Sequence, residues 1–271
     1  MFGLLRRRFP QTGPLPVPPL ELRKLVGNVD ERAYDNAAGG RVYESVAGSS
    51  DDFVLDFGCG CGRIARQLLQ QAVPPRKYVG IDLHKGMIRW CREKLAARNP
   101  NFDFQHQDVR NPGFNPRGRR TQVEFPTNDG IVSLLIAHSV FTHLVESQAE
   151  FYLREIGRVL RDGGIAVTTF FLFDKSGFPM MQEFQNALYI NLNDPTNAVM
   201  FDREWLKSAA RQAGLRIRSV EAPTIRGFHW HIHMERVREG LIEHVGFPAD
   251  DAPVGRAPPP LLERGAHRYG A

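Results

Sequence analysis

The stretch Val54-Leu55-Asp56-Phe57-Gly58-Cys59-Gly60-Cys61-Gly62-Arg63 constrains this chain more than any other. An apolar run stops at an acid, glycines follow at every second position, and an amphipathic run begins at Ile64. That order describes a buried parallel strand, a turn made of backbone, and a helix N-terminus. Glycines clear such a turn of side chains that would collide with a nucleotide-like ligand lying against the main chain. Two spacings are satisfied at once. Gly60, Gly62 and Ala65 fit G-x-G-x-x-A, the cradle of a dinucleotide pyrophosphate. Asp56, Gly58, Gly60 and Gly62 fit acid-x-G-x-G-x-G. A pyrophosphate wants helix N–H groups and no anion beside it, so Asp56 favours a ligand that carries a cation. The turn alone leaves both open.

The rest of the chain alternates strand and helix. Strands are predicted over 53–57, 78–81, 102–105, 130–137 and 165–173, and helices over 63–71 and 84–98. Ser147-Gln148-Ala149-Glu150 reads as a capping box that opens a further helix, closed by Gly163-Gly164. Asp202 caps another helix, ended by Gly214, and two last strands over 215–221 and 228–234 are close enough to form an antiparallel edge hairpin. A β-α-β order implies a parallel sheet covered by helices. The expected organisation is a Pro-rich leader over 1–20, a helical lid over 21–48, one domain over 49–240 with an insertion at 174–201, and a loose tail over 241–271.

Composition excludes several classes. With 42% hydrophobic and 24% charged residues the chain is ordinary globular material. The net charge of +5 comes without a Lys/Arg run interleaved with aromatics, which argues against nucleic acid as a partner. No apolar run reaches membrane-spanning length. Arg6-Arg7-Arg8 follow the first apolar residues rather than precede them, so the N-terminus does not read as a signal peptide. A weak surface anchor built from Phe2, Leu4, Leu5 and Phe9 is the alternative to a loose leader. The three cysteines, Cys59, Cys61 and Cys91, fit neither a disulfide framework nor a metal set, and reduced thiols point to the cytoplasm.

Three acids follow three successive strands: Asp56, Asp82 and Asp108. Asp82 lies 20 residues past Gly62, where a carboxylate accepts hydrogen bonds from a ribose diol. Together the turn, the acids and the later segment Arg158-Val159-Leu160-Arg161-Asp162-Gly163-Gly164 resemble the class I S-adenosylmethionine (SAM)-dependent methyltransferases, in which R-V-L-x-x-G-G precedes strand five. Asn115-Pro116-Arg117-Gly118, followed by Phe125-Pro126, is similar to a group of bacterial members. The resemblance covers about residues 30–235. It implies a Rossmann-like α/β fold, a seven-stranded, mostly parallel sheet with an antiparallel last strand and helices on both faces, and SAM as cofactor. By the same resemblance Asp56, Gly58, Cys59, Gly60 and Gly62 hold the methionine half, Asp82 the ribose, and Asp108 with Val109 the adenine. Leu83 and Met87 pack near the adenosine, His138 and Ser139 lie beside the sulfonium, and Tyr34 and Arg41 reach in from the lid.

Absences narrow the acceptor. The position after strand four reads Ala137-His138-Ser139, not the [DNS]-P-P-[YFW] that base amino-methylation would resemble, and it offers no acid for a Mg²⁺ site. Metal-independent transfer to a hydroxyl of a small molecule or glycan-type metabolite is the leading reading. Transfer to nitrogen, a nicotinamide-dependent oxidoreductase on the same turn, and a non-catalytic SAM-fold subunit are the alternatives. A hydroxyl acceptor benefits from a base, and His138, His143, His229, His231 and His233 are the candidates; the last three alternate and so share one strand face. Solvation at a sheet edge is the plain alternative for that face.

Overall fold

The computed structural model describes residues 14–43, 52–225, 227–238 and 240–248. The N-terminal arginines, their apolar neighbours and residues 249–271 of the expected tail lie outside this set, as do residues 44–48 of the expected lid. Five parallel strands form the centre: β1 (Phe53–Phe57), β2 (Lys77–Asp82), β3 (Phe102–His106), β4 (Val132–Ala137) and β5 (Leu160–Phe173), ordered β3-β2-β1-β4-β5. The final hairpin, β8 (Leu215–Glu221) and β9 (Trp230–Arg236), joins through β9, which runs antiparallel to both β5 and β8. These seven strands match the expected sheet. Two short strands inside the insertion, β6 (Ala187–Tyr189) and β7 (Val199–Asp202), extend it to nine, with β7 parallel to the end of β5.

β1 is buried along its whole length, and its side chains divide between two cores. Phe53, Leu55 and Phe57 pack with α4 (Glu146–Val159) and α5 (Arg203–Gln212). Val54 packs with α2 (Arg63–Leu69) and α3 (Lys85–Cys91) on the other face. A strand buried on both faces needs a continuous apolar run, and the sequence supplies one. A third, smaller cluster sets Leu22, Leu25 and Val26, in and just after α1 (Leu20–Leu25), against Tyr34, Cys61 and Met87. The lid segment is thereby pinned over the glycine turn. Buried Arg66 adds to this: its guanidinium donates to the carbonyls of Leu15, Pro16 and Tyr34 and pairs with Asp35.

Three local expectations are corrected. The capping residue of α4 is Val145, two residues before Ser147; the Gln148 side chain accepts from the Val145 N–H at 3.2 Å. Gly163-Gly164 do not close α4. They lie inside β5, where the register to β4 slips between Leu160 and Ile165, so they form a bulge. The third helix ends at Cys91 and continues as a π-turn through Ala96 rather than as regular helix to Arg98.

Candidate active site

The carboxyl ends of β1, β2 and β4 open onto a cavity of 430 Å³. It sits where the strand order reverses, the place where open α/β sheets take ligands. Its volume falls within the roughly 300–1,000 Å³ of small-molecule sites.

The glycine turn forms one wall. Gly58 and Cys59 donate to the Ile81 carbonyl at 2.8 and 3.1 Å, which ties the turn to the end of β2. Gly58, Gly60 and Gly62 all have positive φ (78°, 54° and 80°). A Cβ at Gly58 would stand 2.4 Å from Val140 Cγ2, at Gly60 2.9 Å from Val26 Cγ1, and at Gly62 2.6 Å from Leu95 Cδ1. The glycines are therefore required by backbone conformation and by neighbouring protein, not by ligand clearance alone as the sequence reading had it. Gly58, Cys59 and Gly60 border the cavity; Gly62 caps α2 and lies outside its wall.

Asp56 and Asp82 both reach the cavity. Asp56 is 2% exposed and accepts from the Tyr78 hydroxyl at 2.7 Å. Burial pushes its pKa up to about 7, against the Tyr78 hydrogen bond and the Arg63 guanidinium, which favour the anion. Asp82 accepts from the N–H groups of Gly60 (2.9 Å, Oδ2) and His84 (2.7 Å, Oδ1), and burial again raises its pKa. One lone pair on each Asp82 oxygen remains for a diol. Leu83, Met87 and Val109 supply apolar wall beside it. This set, an acid for an ammonium, a carboxylate for a diol and an apolar face for a base, fits SAM.

Other expected residues stand elsewhere. Asp108 does not line the cavity. Its carboxylate pairs with Arg119 at 2.8 Å, which lowers its pKa, while its neighbours Gln107, Val109 and Arg110 take the wall positions. Tyr34 is buried under the leader, its hydroxyl 3.2 Å from the Asn28 carbonyl and 3.3 Å from Cys61 Sγ. Arg41 is exposed and away from the wall. Arg63 stands in the wall instead, at the first position of α2. Its place directly after the glycine turn was the signal in the sequence.

The histidines divide into two groups. His138, His143 and His229 line the cavity together with Ser139. Ser139 holds a left-handed conformation (φ 56°), its N–H donates to Thr169 Oγ1 at 2.7 Å, and its hydroxyl lies 3.1 Å from His229 Nε2. Burial lowers the pKa of His138 to about 3 and of His229 to about 4, so both rings stay neutral. His231 is outside the wall, its ring 5.8 Å from that of His138. His233 is 9% exposed on β9 and also outside the wall. Because β9 runs between β5 and β8, the alternating face is not a sheet edge.

His143 differs from the other two. Its Nδ1 faces the Thr196 carbonyl at 3.0 Å, and a carbonyl only accepts, so Nδ1 is the donor; in the neutral ring Nε2 is then the nitrogen with the lone pair. Nε2 has no hydrogen-bond partner among the described residues. Thr196 is itself fixed: its hydroxyl donates to Asp194 Oδ1 (2.7 Å) and accepts from the Asn111 side chain (3.1 Å). Thr142, next to His143 and also in the wall, is fully buried with its hydroxyl unpaired. Asn111 and Thr142 were not anticipated from sequence.

Comparison with known proteins agrees with this fold. Residues 54–164 match the family model of a methyltransferase domain. An uncharacterized methyltransferase of Geobacillus kaustophilus is 26% identical over 60% of this chain, and the match spans 65% of that protein. A phthiotriol/phenolphthiotriol dimycocerosates methyltransferase of Mycobacterium ulcerans is 26% identical over 93% of this chain and 77% of its own length. A putative methyltransferase of Haloferax volcanii, solved in complex with the Trm112 methyltransferase activator, shares the fold with a TM-score of 0.53 at 14% identity, over 82% of this chain and 96% of that one. The matched domain, the sheet order and the acid-bordered glycine turn together support a class I SAM-dependent methyltransferase.

Proposed function

We propose that this enzyme transfers a methyl group to the hydroxyl oxygen of a small-molecule or sugar-type acceptor, with His143 taking the hydroxyl proton. The observation that carries this reading is the fixed tautomer of His143 in the cavity wall. When bound, SAM supplies a methyl group activated by a sulfonium. The chain's own residues then have two tasks. Alignment of acceptor and donor by a rigid cavity is worth about 7–11 kcal/mol in well-oriented cases. Removal of the hydroxyl proton adds about 10²–10⁴-fold. His138 and His229 are poor proton acceptors, because burial holds their pKa values far below neutrality. They suit a neutral hydrogen-bonding role beside Ser139.

The relative named for phthiotriol and phenolphthiotriol dimycocerosates, together with apolar side chains such as Phe114, Val140 and Phe171 in the cavity wall, supports an acceptor with an apolar body. The test uses extract or candidate alcohols with methyl-labelled SAM and mass spectrometry of the product. Wild-type enzyme is expected to give an O-methylated product. His143→Gln is expected to lower kcat by roughly 10²–10⁴-fold while SAM affinity stays unchanged. An unchanged kcat overturns the assignment of the base, and a product methylated on nitrogen overturns the acceptor class. SAM binding without transfer to any acceptor identifies a non-catalytic subunit.

A further inference from the structure

One face of the protein combines exposed apolar side chains with unpaired arginines. Among the described residues ten large hydrophobic side chains are exposed, and five of them fall within 178–192: Phe178, Met180, Phe184, Ile190 and Leu192. Met180, Leu192 and Phe184 are 90%, 87% and 78% exposed, so they contribute nothing to the core. Scattered single apolar residues are ordinary on a protein surface, but concentration in one short stretch marks an interaction site.

This stretch does not line the cavity, but it is tied to the start of α4 and runs into the segment that holds His143. Its β6 residue Tyr189 takes a hydrogen bond from Glu146 N at the start of α4, and Asn186 donates to the Glu146 carboxylate. Just beyond it, Thr196 holds His143 and Asn111. Asn111 in turn belongs to the loop that carries Arg110, Arg117, Arg119 and Arg120. Arg119 is neutralised by Asp108, whereas Arg110, Arg117 and Arg120 are exposed with no ion-pair partner among the described residues. Of the carboxylates in the insertion, Asp174 and Asp194 cap their own turns, leaving Glu183 in the exposed stretch.

We propose that this surface docks on an anionic lipid bilayer, with the apolar side chains entering the interface and the arginines resting on the headgroups. Apolar insertion together with basic residues is the pattern of interfacial membrane binding. A second copy of the chain is the other occupant to weigh. A two-fold interface over this patch would bring two copies of the same net-positive surface together at a Coulombic cost, whereas an anionic surface satisfies both features. An acceptor with an apolar body would then pass from the bilayer into the cavity. That last step rests on the methyl-transfer reading; docking itself does not.

The test is co-sedimentation of the full chain with vesicles of neutral phosphatidylcholine, and of phosphatidylcholine mixed with anionic phosphatidylglycerol. Wild-type protein is expected to bind the anionic vesicles and to be released by high salt. The double variant Arg117→Ala/Arg120→Ala should lose roughly 30-fold in affinity, from about 1 kcal/mol per basic residue at such a surface. The triple variant Met180→Ser/Phe184→Ser/Leu192→Ser should lose about tenfold or more. All three positions are largely exposed, so circular dichroism and SAM calorimetry should match wild type. Failure of wild type to bind anionic vesicles overturns docking, as does binding that neither variant weakens. So does a wild-type dimer that the triple variant converts to monomer in ultracentrifugation. SAM binding without vesicle binding removes docking and leaves the methyl-transfer reading intact; vesicle binding without SAM binding does the reverse.

Discussion

The two halves of the cavity, which we propose take the cofactor and the acceptor, are built by different means. Around β1 and β2 the wall is backbone and short acids: turn amides tied to Ile81, Asp82 tied to Gly60 and His84, and glycines with no room for a Cβ. Around β4 and the insertion the wall is side chains joined across long stretches of sequence, with His143 held from Thr196 and Ser139 beside His229. A wall of backbone fixes one ligand and tolerates little change. A wall of side chains can be rebuilt for a new acceptor without disturbing the sheet.

Four substitutions or conditions would break or sharpen that contrast. Gly58→Ala strikes the rigid half hardest. It combines a positive φ with a Cβ 2.4 Å from Val140, and should cost about 2–4 kcal/mol, read as a lowered midpoint in denaturant unfolding. Arg66→Ala leaves the leader's carbonyls unpaired and should cost about 1–3 kcal/mol. It should also weaken SAM binding, since Leu25 and Val26 cover the turn. Asn111→Ala releases Thr196 and also removes the acceptor for the Gly113 and Phe114 N–H groups, and should lower kcat by about tenfold or more. SAM affinity measured on that variant should not move.

The smallest effect is one of pH. Asp56, raised to about 7 by burial, loses its charge as pH falls through that value. A cationic group beside it then loses its partner. SAM affinity should therefore fall by up to about tenfold from about pH 8 to about pH 6, with proton release on binding near neutrality, and Asp56→Asn should flatten the dependence. Calorimetry in buffers of different ionisation enthalpy reads both.

The same contrast explains what was legible in the sequence. β1, its glycine turn, Asp56 and Asp82 follow one another along the chain, so spacing alone placed them. Asp108 looked equivalent, but the loop after it folds back and brings Arg119 onto its carboxylate, and no periodicity encodes that contact. Tyr34 was drawn into the small core under the leader instead of into the cavity. Thr142, Asn111 and the Thr196 clamp depend on tertiary contacts between segments as much as 85 residues apart. Gly163-Gly164 carried the sequence signal of a helix end, yet the helix stops at Val159 and the glycines serve a bulge that lets β5 resume its pairing with β4.

The division between the two halves is tested most directly by titrating SAM into the wild type, Asp82→Ala and His143→Gln side by side in a calorimeter. Asp82→Ala should weaken binding by roughly 10–200-fold, the loss of about 1.5–3 kcal/mol of charged hydrogen bonding, and His143→Gln should leave it unchanged. Unchanged affinity in Asp82→Ala, or a comparable loss in His143→Gln, would contradict the account.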